Sequence, residues 1–313
     1  MQYRKIVLAG GNGYLGSVLA RHYAGLADEV VLLSRKPAPG AAPSPGITTV
    51  LWDAQTEGPW VKALEGADLL VNLCGKNVNC RYTRQNKKDI IRSRTVPTAL
   101  LGKAISGLSN PPKLWINITS ATIYRHAEDH SQDEETGEIG EGFSVDVCKR
   151  WERVFFAAPT PLTRKVALRM GIVFGPSDGV FPRLLNMVKW GLGGPQGNGH
   201  QYVSWIHESD VAAITEWLLN HPSENGVFNA TAPQPVPNAQ QMRLIRHAYG
   251  IIGGLPAPAW LLNIGARVIG TETELILKSR WVLPKRLLDS GFIFQYPDAE
   301  DAVLACVQKN TSK

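Results

Sequence analysis

Three glycines, Gly10, Gly13 and Gly16, recur at three-residue spacing in "VLAGGNGYLGSVLA", between an apolar run and a helical pattern. The first permits a tight turn, the second lets backbone approach a pyrophosphate directly, and the third lets a helix pack close on the preceding strand. A diphosphate then sits at the positive end of that helix. With a strand before it and a helix after it, this spacing predicts a dinucleotide site rather than a bare glycine turn. The next apolar run ends "LLSRK", and those last residues decide which dinucleotide fits. An Asp or Glu there would accept hydrogen bonds from the ribose hydroxyls and repel a 2′-phosphate. Ser34, Arg35 and Lys36 offer instead a hydroxyl, a planar fork able to stack on adenine, and a point charge. NADP(H) is therefore expected over NAD. Asp53, ending a third apolar run, could meet the adenine amino group and could equally be a turn former.

The elements that must position these residues alternate short β-rich runs with helical patterns, the rhythm of a parallel sheet covered on both faces. "YRKIVLAG", "EVVLLSR", "ITTVLWD", "DLLVNLCG", "LWINITS" and "RKVALRMGIVFG" read as six strands. "LGSVLARHYAGL", a long stretch from about 86 to 105, and "GFSVDVCKRWERVFF" read as helices. The proline-rich stretch "KPAPGAAPSPG" (36–46) is a loop, because prolines at that density sustain neither a helix nor a central strand. After Gly175 the rhythm loosens. "GVFPRLLNMVKWGLGG" reads as a helix, a later helix is expected to be capped by Ser209 or Asp210, and the pattern from Pro235 onward is mainly helical. "PAWLLNIGARVIG" (258–270) reads as a lid or core helix in preference to a membrane-lying one.

Composition bounds the remaining choices. With 313 residues, 44% hydrophobic and 19% charged, the chain can bury a large core. No apolar stretch approaches the roughly 20 residues a membrane span requires, and "MQYRKIVLAGG" lacks a signal peptide's apolar core and cleavage site. Cys74, Cys80, Cys148 and Cys306 form no C-x-x-C pair, so no metal is expected, and reduced thiols in the cytoplasm are. A net charge of +6 can steer an anionic ligand without demanding nucleic acid. The basic cluster "RYTRQNKKDIIRSR" (81–94) reads as a solvated helix face with one useful arginine.

The glycine loop, "VNLCG" after the fourth strand, "TSATIY" after the fifth and "WIHESDVA" further on resemble the extended short-chain dehydrogenase/reductase superfamily. "GLGGPQGNGHQYVSWIHESD" and "VLPKRLLDSGFIFQYPDAEDAV" resemble one atypical, epimerase-family branch with a small C-terminal domain of unknown function. In the parent superfamily a serine or threonine orients the substrate oxygen, a tyrosine moves its proton, and a lysine four residues after the tyrosine binds the ribose. The resemblance assigns the serine to Ser120 and the lysine to Lys149, with Val145 where the tyrosine would stand. Valine exchanges no proton, and the lost group is worth about a hundred- to ten-thousand-fold in rate. Tyr124 is then a substitute acid to be weighed against packing at the pocket edge, and His200 is a loop histidine of suitable pKa range. His207 and Asp210 read as a helix-capping pair. Arg94 could reach the cofactor phosphates or form a surface ion pair. Asn12, Tyr14, Leu15, Leu73, Cys74, Gly75 and Ile172 complete the expected cofactor contacts.

The expectation is an α/β fold: a Rossmann-type, doubly wound parallel sheet (1–172 plus about 203–232) with a smaller, mainly helical substrate domain (173–202 and 233–313). The active site would lie between them. An NADP(H)-dependent oxidoreductase or epimerase-like enzyme on a small hydroxyl or carbonyl substrate is expected. The alternative is a catalytically silent NADP(H)-sensing protein. The expected partner is the small-molecule substrate, with a homodimer left open and neither nucleic acid nor a membrane expected.

Overall fold

The computed structural model describes residues 2–36, 46–263 and 272–311. The proline loop therefore lies almost wholly outside the described residues, as does the second half of the 258–270 helix. Seven strands form one parallel sheet in the order β10-β6-β5-β4-β1-β2-β3. They are β1 (Tyr3–Ala9), β2 (Ala27–Ser34), β3 (Ile47–Leu51), β4 (Leu69–Asn72), β5 (Leu114–Ser120), β6 (Arg164–Met170) and β10 (Gly226–Ala230). The order reverses between β1 and β4, and ligands of open α/β sheets bind outside the strand ends at such a point.

Residues on β1 alternate between two apolar layers. Ile6 and Leu8 pack with α1 (Tyr14–Tyr23) and α5 (Glu208–Asn220), through Leu19, Tyr23, Val211 and Ile214. Val7 and Ala9 face the opposite layer, where α2 (Arg84–Ser106) and α3 (Phe143–Ala157) bury Leu101, Ile105 and Phe155. Strands buried on both faces read as continuous apolar runs, which is why these were legible as a parallel sheet. The register brings Ala9, Leu33 and Asn72 level, and Asn72 in turn level with Asn117. A third apolar cluster joins α4 (Phe181–Lys189), α6 (Asn238–Tyr249) and the helix Ala299–Thr311.

Three details differ from expectation. "RKVALRMGIVFG" is not one strand: after β6 the chain leaves the sheet at Gly171, and β7 (Ile172–Phe174) pairs with β9 (Trp205–His207). Gly171 lies so close to Ser204 that a Cβ would stand 2.8 Å from its carbonyl oxygen. A 3₁₀ helix over Pro59–Leu64 was not foreseen. The N-cap of α5 is not Ser209 or Asp210 but His207, the histidine of the expected capping pair, with Nδ1 accepting from the Ser209 amide at 3.2 Å.

Candidate functional site

The carboxyl ends of β1, β2, β4 and β5 open toward one region, and the first turn forms its floor. Gly10 holds φ +79°, where a Cβ would also lie 3.2 Å from Cys74 Sγ. Gly16 has no room for any side chain, since a Cβ would stand 2.1 Å from the Gly11 carbonyl oxygen. Gly13 caps α1 with extended backbone; no side chain occupies the cap and no acidic residue lies in the first turn. The helix start, including the amides of Leu15 and Gly16, is thus left to present its partial positive charge to an anion. Tyr14 turns its hydroxyl away, donating to the Glu208 carboxylate and tying α1 to α5.

Beside this turn, Asn12 Nδ2 donates to the Lys36 carbonyl at 2.8 Å, joining the glycine loop to the end of β2. Ser34 is buried, while the Arg35 and Lys36 side chains are exposed there. On the other side the Leu73 amide donates to the Ala9 carbonyl at 2.8 Å, and the Cys74 amide to Asn72 Oδ1 at 3.1 Å. Burial pushes the Cys74 thiol up to about 12, so it is a neutral wall rather than a nucleophile. Gly75 touches Arg94: a Cβ there would lie 3.2 Å from the guanidinium carbon. That guanidinium covers the Trp151 ring at 5.2 Å, and Nη1 donates to the Lys76 and Ile90 carbonyls at 3.1 Å each. Burial lowers its pKa, and no carboxylate forms an ion pair with it among the described residues.

A second cluster gathers around the end of β5. Ser120 Oγ accepts from the Thr122 amide at 3.2 Å. Lys278 Nζ donates to the Thr122 carbonyl at 2.9 Å, and Arg280 Nε to Thr122 Oγ1 at 3.1 Å. Ser144 Oγ lies 3.3 Å from Glu274 Oε2 and 3.4 Å from the Tyr82 hydroxyl. The Tyr82 amide donates to Glu272 Oε1 at 2.8 Å, and its ring packs edge-on against Phe143. Hydroxyls and cations so arranged can hold a carbonyl oxygen and an anionic group together.

The NAD dependent epimerase/dehydratase family matches residues 6–231. The chain belongs to this family. A domain of unknown function matches residues 257–306, so Glu272, Glu274, Lys278 and Arg280 come from that domain. Human epimerase family protein SDR39U1 is 31% identical over 298 residues, covering 94% of this chain and 96% of its own. The Bacillus subtilis epimerase family protein YfhF is 29% identical, covering 95% and 96%. The crystal structure of human SDR39U1 with NADPH superposes with a TM-score of 0.84 at 29% identity, covering 97% of this chain and 99% of that one. The chain thus has the family's NAD(P)-binding Rossmann fold. No helix among the described residues is long and apolar enough to cross a membrane.

Against this family frame, three expected side chains do not face the cleft. Lys149 is exposed on α3, two residues before Trp151 and so about 200° around the helix from the face that meets Arg94 and Gly75. Val145 is fully buried against Ala121, Ile123 and Val282. The pair one turn apart on the cleft side is therefore Ser144 and Cys148, one residue earlier than expected; burial pushes the Cys148 thiol up to about 12. Tyr124 is 1% exposed and its hydroxyl is engaged, donating to Asn229 Oδ1 at 3.1 Å and accepting from Arg169 Nη1 at 2.8 Å. That placement does not suit a proton donor to substrate. Asp53 spends both carboxylate oxygens on its own turn, accepting from the Gln55 and Thr56 amides and the Thr56 hydroxyl, which hold its pKa down at about 2.

Ile172 lies where the chain leaves β6, its amide donating to the Ser204 carbonyl at 2.8 Å. His200 is exposed on its loop. Asp210 anchors the C-terminal segment, accepting from the Gln295 and Tyr296 amides at 2.7 and 3.0 Å. His207 is buried with Nε2 unpartnered among the described residues, so the cap requires the neutral ring with the proton on Nε2. Burial pushes its pKa down to about 4, and nearby Lys309 adds to the shift. The unfolded chain takes up this proton near pH 6.5 and the folded chain does not until about 4, so the contribution is complete above 6.5 and lost as pH falls toward 4. We expect His207→Asn, which keeps an N-cap acceptor, to flatten that acid limb in urea unfolding measured from pH 7.5 to 4.5. An unchanged slope would contradict this role.

Proposed function

We propose that the chain is an NADP(H)-dependent oxidoreductase or epimerase-like enzyme acting on a small hydroxyl or carbonyl compound. The observation that carries it is the continuity of the glycine turn with the basic end of β2: Asn12 bonds the Lys36 carbonyl, and Arg35 and Lys36 stand exposed beside it. In this reading the pyrophosphate lies at the start of α1 and the 2′-phosphate meets Ser34, Arg35 and Lys36. The NADPH complex of the human relative supports the phosphorylated cofactor. Arg35→Ala is expected to weaken NADPH about ten- to a hundred-fold and leave NADH nearly unaffected, as read by fluorescence titration. Equal losses for the two nucleotides would contradict the assignment.

The bound nicotinamide would supply or accept hydride. Ser120 orients the reacting oxygen, and Arg94 supplies from α2 the cation that α3 lacks on its cleft face. Tyr82, bonded to Ser144, replaces Tyr124 as the hydroxyl that gives the proton. Residues 173–202 and 233–313 form the substrate side in this reading. A second reading, NADP(H) sensing without turnover, draws on the serine and cysteine that α3 turns toward the cleft. Screening aldehydes, ketones and nucleotide sugars for loss of NADPH absorbance separates them. Turnover abolished by Ser120→Ala supports the enzyme, and no turnover across the panel favours the sensor.

A further inference from the structure

Six of the thirteen large apolar side chains that stand exposed among the described residues fall on two short segments, one after α4 and one after α6. Trp190 (82% exposed) and Leu192 belong to the first, and Ile252 (100% exposed), Leu255, Trp260 and Leu261 to the second. The two segments are bound into one surface. The Leu255 amide donates to the Gly191 carbonyl at 2.8 Å, and the Gly194 amide to the Leu255 carbonyl at 3.0 Å. Arg246 of α6 braces the same loop by donating to the Gly193 carbonyl. Single exposed apolar residues are ordinary, whereas a group drawn together and holding two tryptophans marks a contact surface. Trp260 and Leu261, in the described part of the 258–270 stretch, thus face outward rather than into a core.

The charge carried by these segments has one sign. Residues 179–207 and 225–271, which contain both segments together with α4 and α6, include no Asp or Glu. Arg183 and Lys189 on α4 and Arg243 on α6 are exposed, and no carboxylate forms an ion pair with any of them among the described residues. Lys189, one residue before Trp190, holds its ammonium over the Tyr249 ring at 5.4 Å. The helix Ala299–Thr311 packs with α6 and carries Glu300 and Asp301 in its first turn, and neither pairs with those cations. A two-fold contact with a second copy would bring a surface of one sign against itself, and like charges so placed oppose association. An anionic lipid surface matches both features, since tryptophans settle at headgroup level and each nearby lysine or arginine strengthens attachment. We propose that this surface docks the protein on anionic lipid, with Trp190, Ile252 and Leu255 among the headgroups and Arg183, Lys189 and Arg243 at their phosphates. The expectation of no membrane partner rested on the lack of an apolar span, and attachment of this kind needs none.

The test is co-sedimentation of the full chain with vesicles of phosphatidylcholine alone and of phosphatidylcholine mixed in equal parts with phosphatidylglycerol. We expect pelleting with the mixed vesicles, release as salt is raised, and little pelleting with phosphatidylcholine alone. The double variant Trp190→Ser with Ile252→Ser, both at exposed positions, should weaken vesicle binding at least about ten-fold, and Lys189→Gln about five-fold. Thermal midpoints equal to that of the unaltered chain separate these losses from unfolding. No pelleting with the mixed vesicles, equal pelleting with the neutral ones, or pelleting unmoved by either variant would overturn the proposal. A concentration-dependent dimer in sedimentation velocity, lost in the double variant, would assign the surface to a second copy and overturn it as well.

Discussion

On the proposed enzyme reading, a Tyr82→Phe protein is expected to keep its NADPH affinity and to lose about a hundred- to ten-thousand-fold in turnover. The physical basis is the position of one hydroxyl. Tyr82 lies just before α2, with its hydroxyl 3.4 Å from Ser144 Oγ and its ring fixed against Phe143. Burial raises its pKa, with Glu274 and Glu272 adding to the shift, so the phenol stays protonated at neutral pH and is available as a donor. Deleting only the oxygen leaves the ring packing and the hydrogen bond from the backbone amide to Glu272 intact, which separates chemistry from folding. Stopped-flow single turnover with NADPH reads the step directly. A variant that turns over at the wild-type rate would show that the proton comes from elsewhere, with water the remaining candidate.

Glu152→Ala is expected to remove about 3–5 kcal/mol of stability, the cost of stranding a buried charge. Glu152 and Arg169 are each 8% exposed and pair through two bonds, Nε to Oε1 at 2.9 Å and Nη2 to Oε2 at 2.8 Å. Thr119 donates to the same carboxylate at 3.1 Å, and Arg169 reaches onward to the Tyr124 hydroxyl. This network binds α3 to the ends of β5 and β6 and braces the turn that carries Ser120. The double variant Glu152→Leu with Arg169→Met leaves no uncompensated ion and should cost much less than the two single changes summed. Urea unfolding of the four proteins measures the coupling. Additive losses would mean the pair acts independently and does not brace the turn.

The parts legible from the chain were those in which backbone chemistry restricts residue type. Gly10 and Gly16 are dictated by a positive φ and by a carbonyl too close for any Cβ, and such demands leave a local pattern. The basic end of β2 is similarly local. The face that α3 turns to the cleft was not, because its rotation is set by tertiary partners: Trp151 against Arg94, Glu152 against Arg169, and Val145 against the turn after β5. Counting from a family spacing placed the pair at 145 and 149, one residue off. The charged run Asp146, Lys149, Arg150 and Arg153, which marks the solvent face of the helix, was the available signal against Lys149. Tyr82 with Glu272 and Thr122 with Lys278 are long-range contacts, and neither leaves a local trace in the chain. The same limit hid the occupied hydroxyl of Tyr124, whose partners Asn229 and Arg169 lie on other strands.

Calorimetric titration of the unaltered protein with NADPH and with NADH tests the central claim most directly. A site built on the glycine turn and on Ser34, Arg35 and Lys36 binds NADPH at least about ten-fold more tightly, the difference made by one charge-assisted contact to the 2′-phosphate. Equal affinity for the two, tighter binding of NADH, or no heat with either would contradict it.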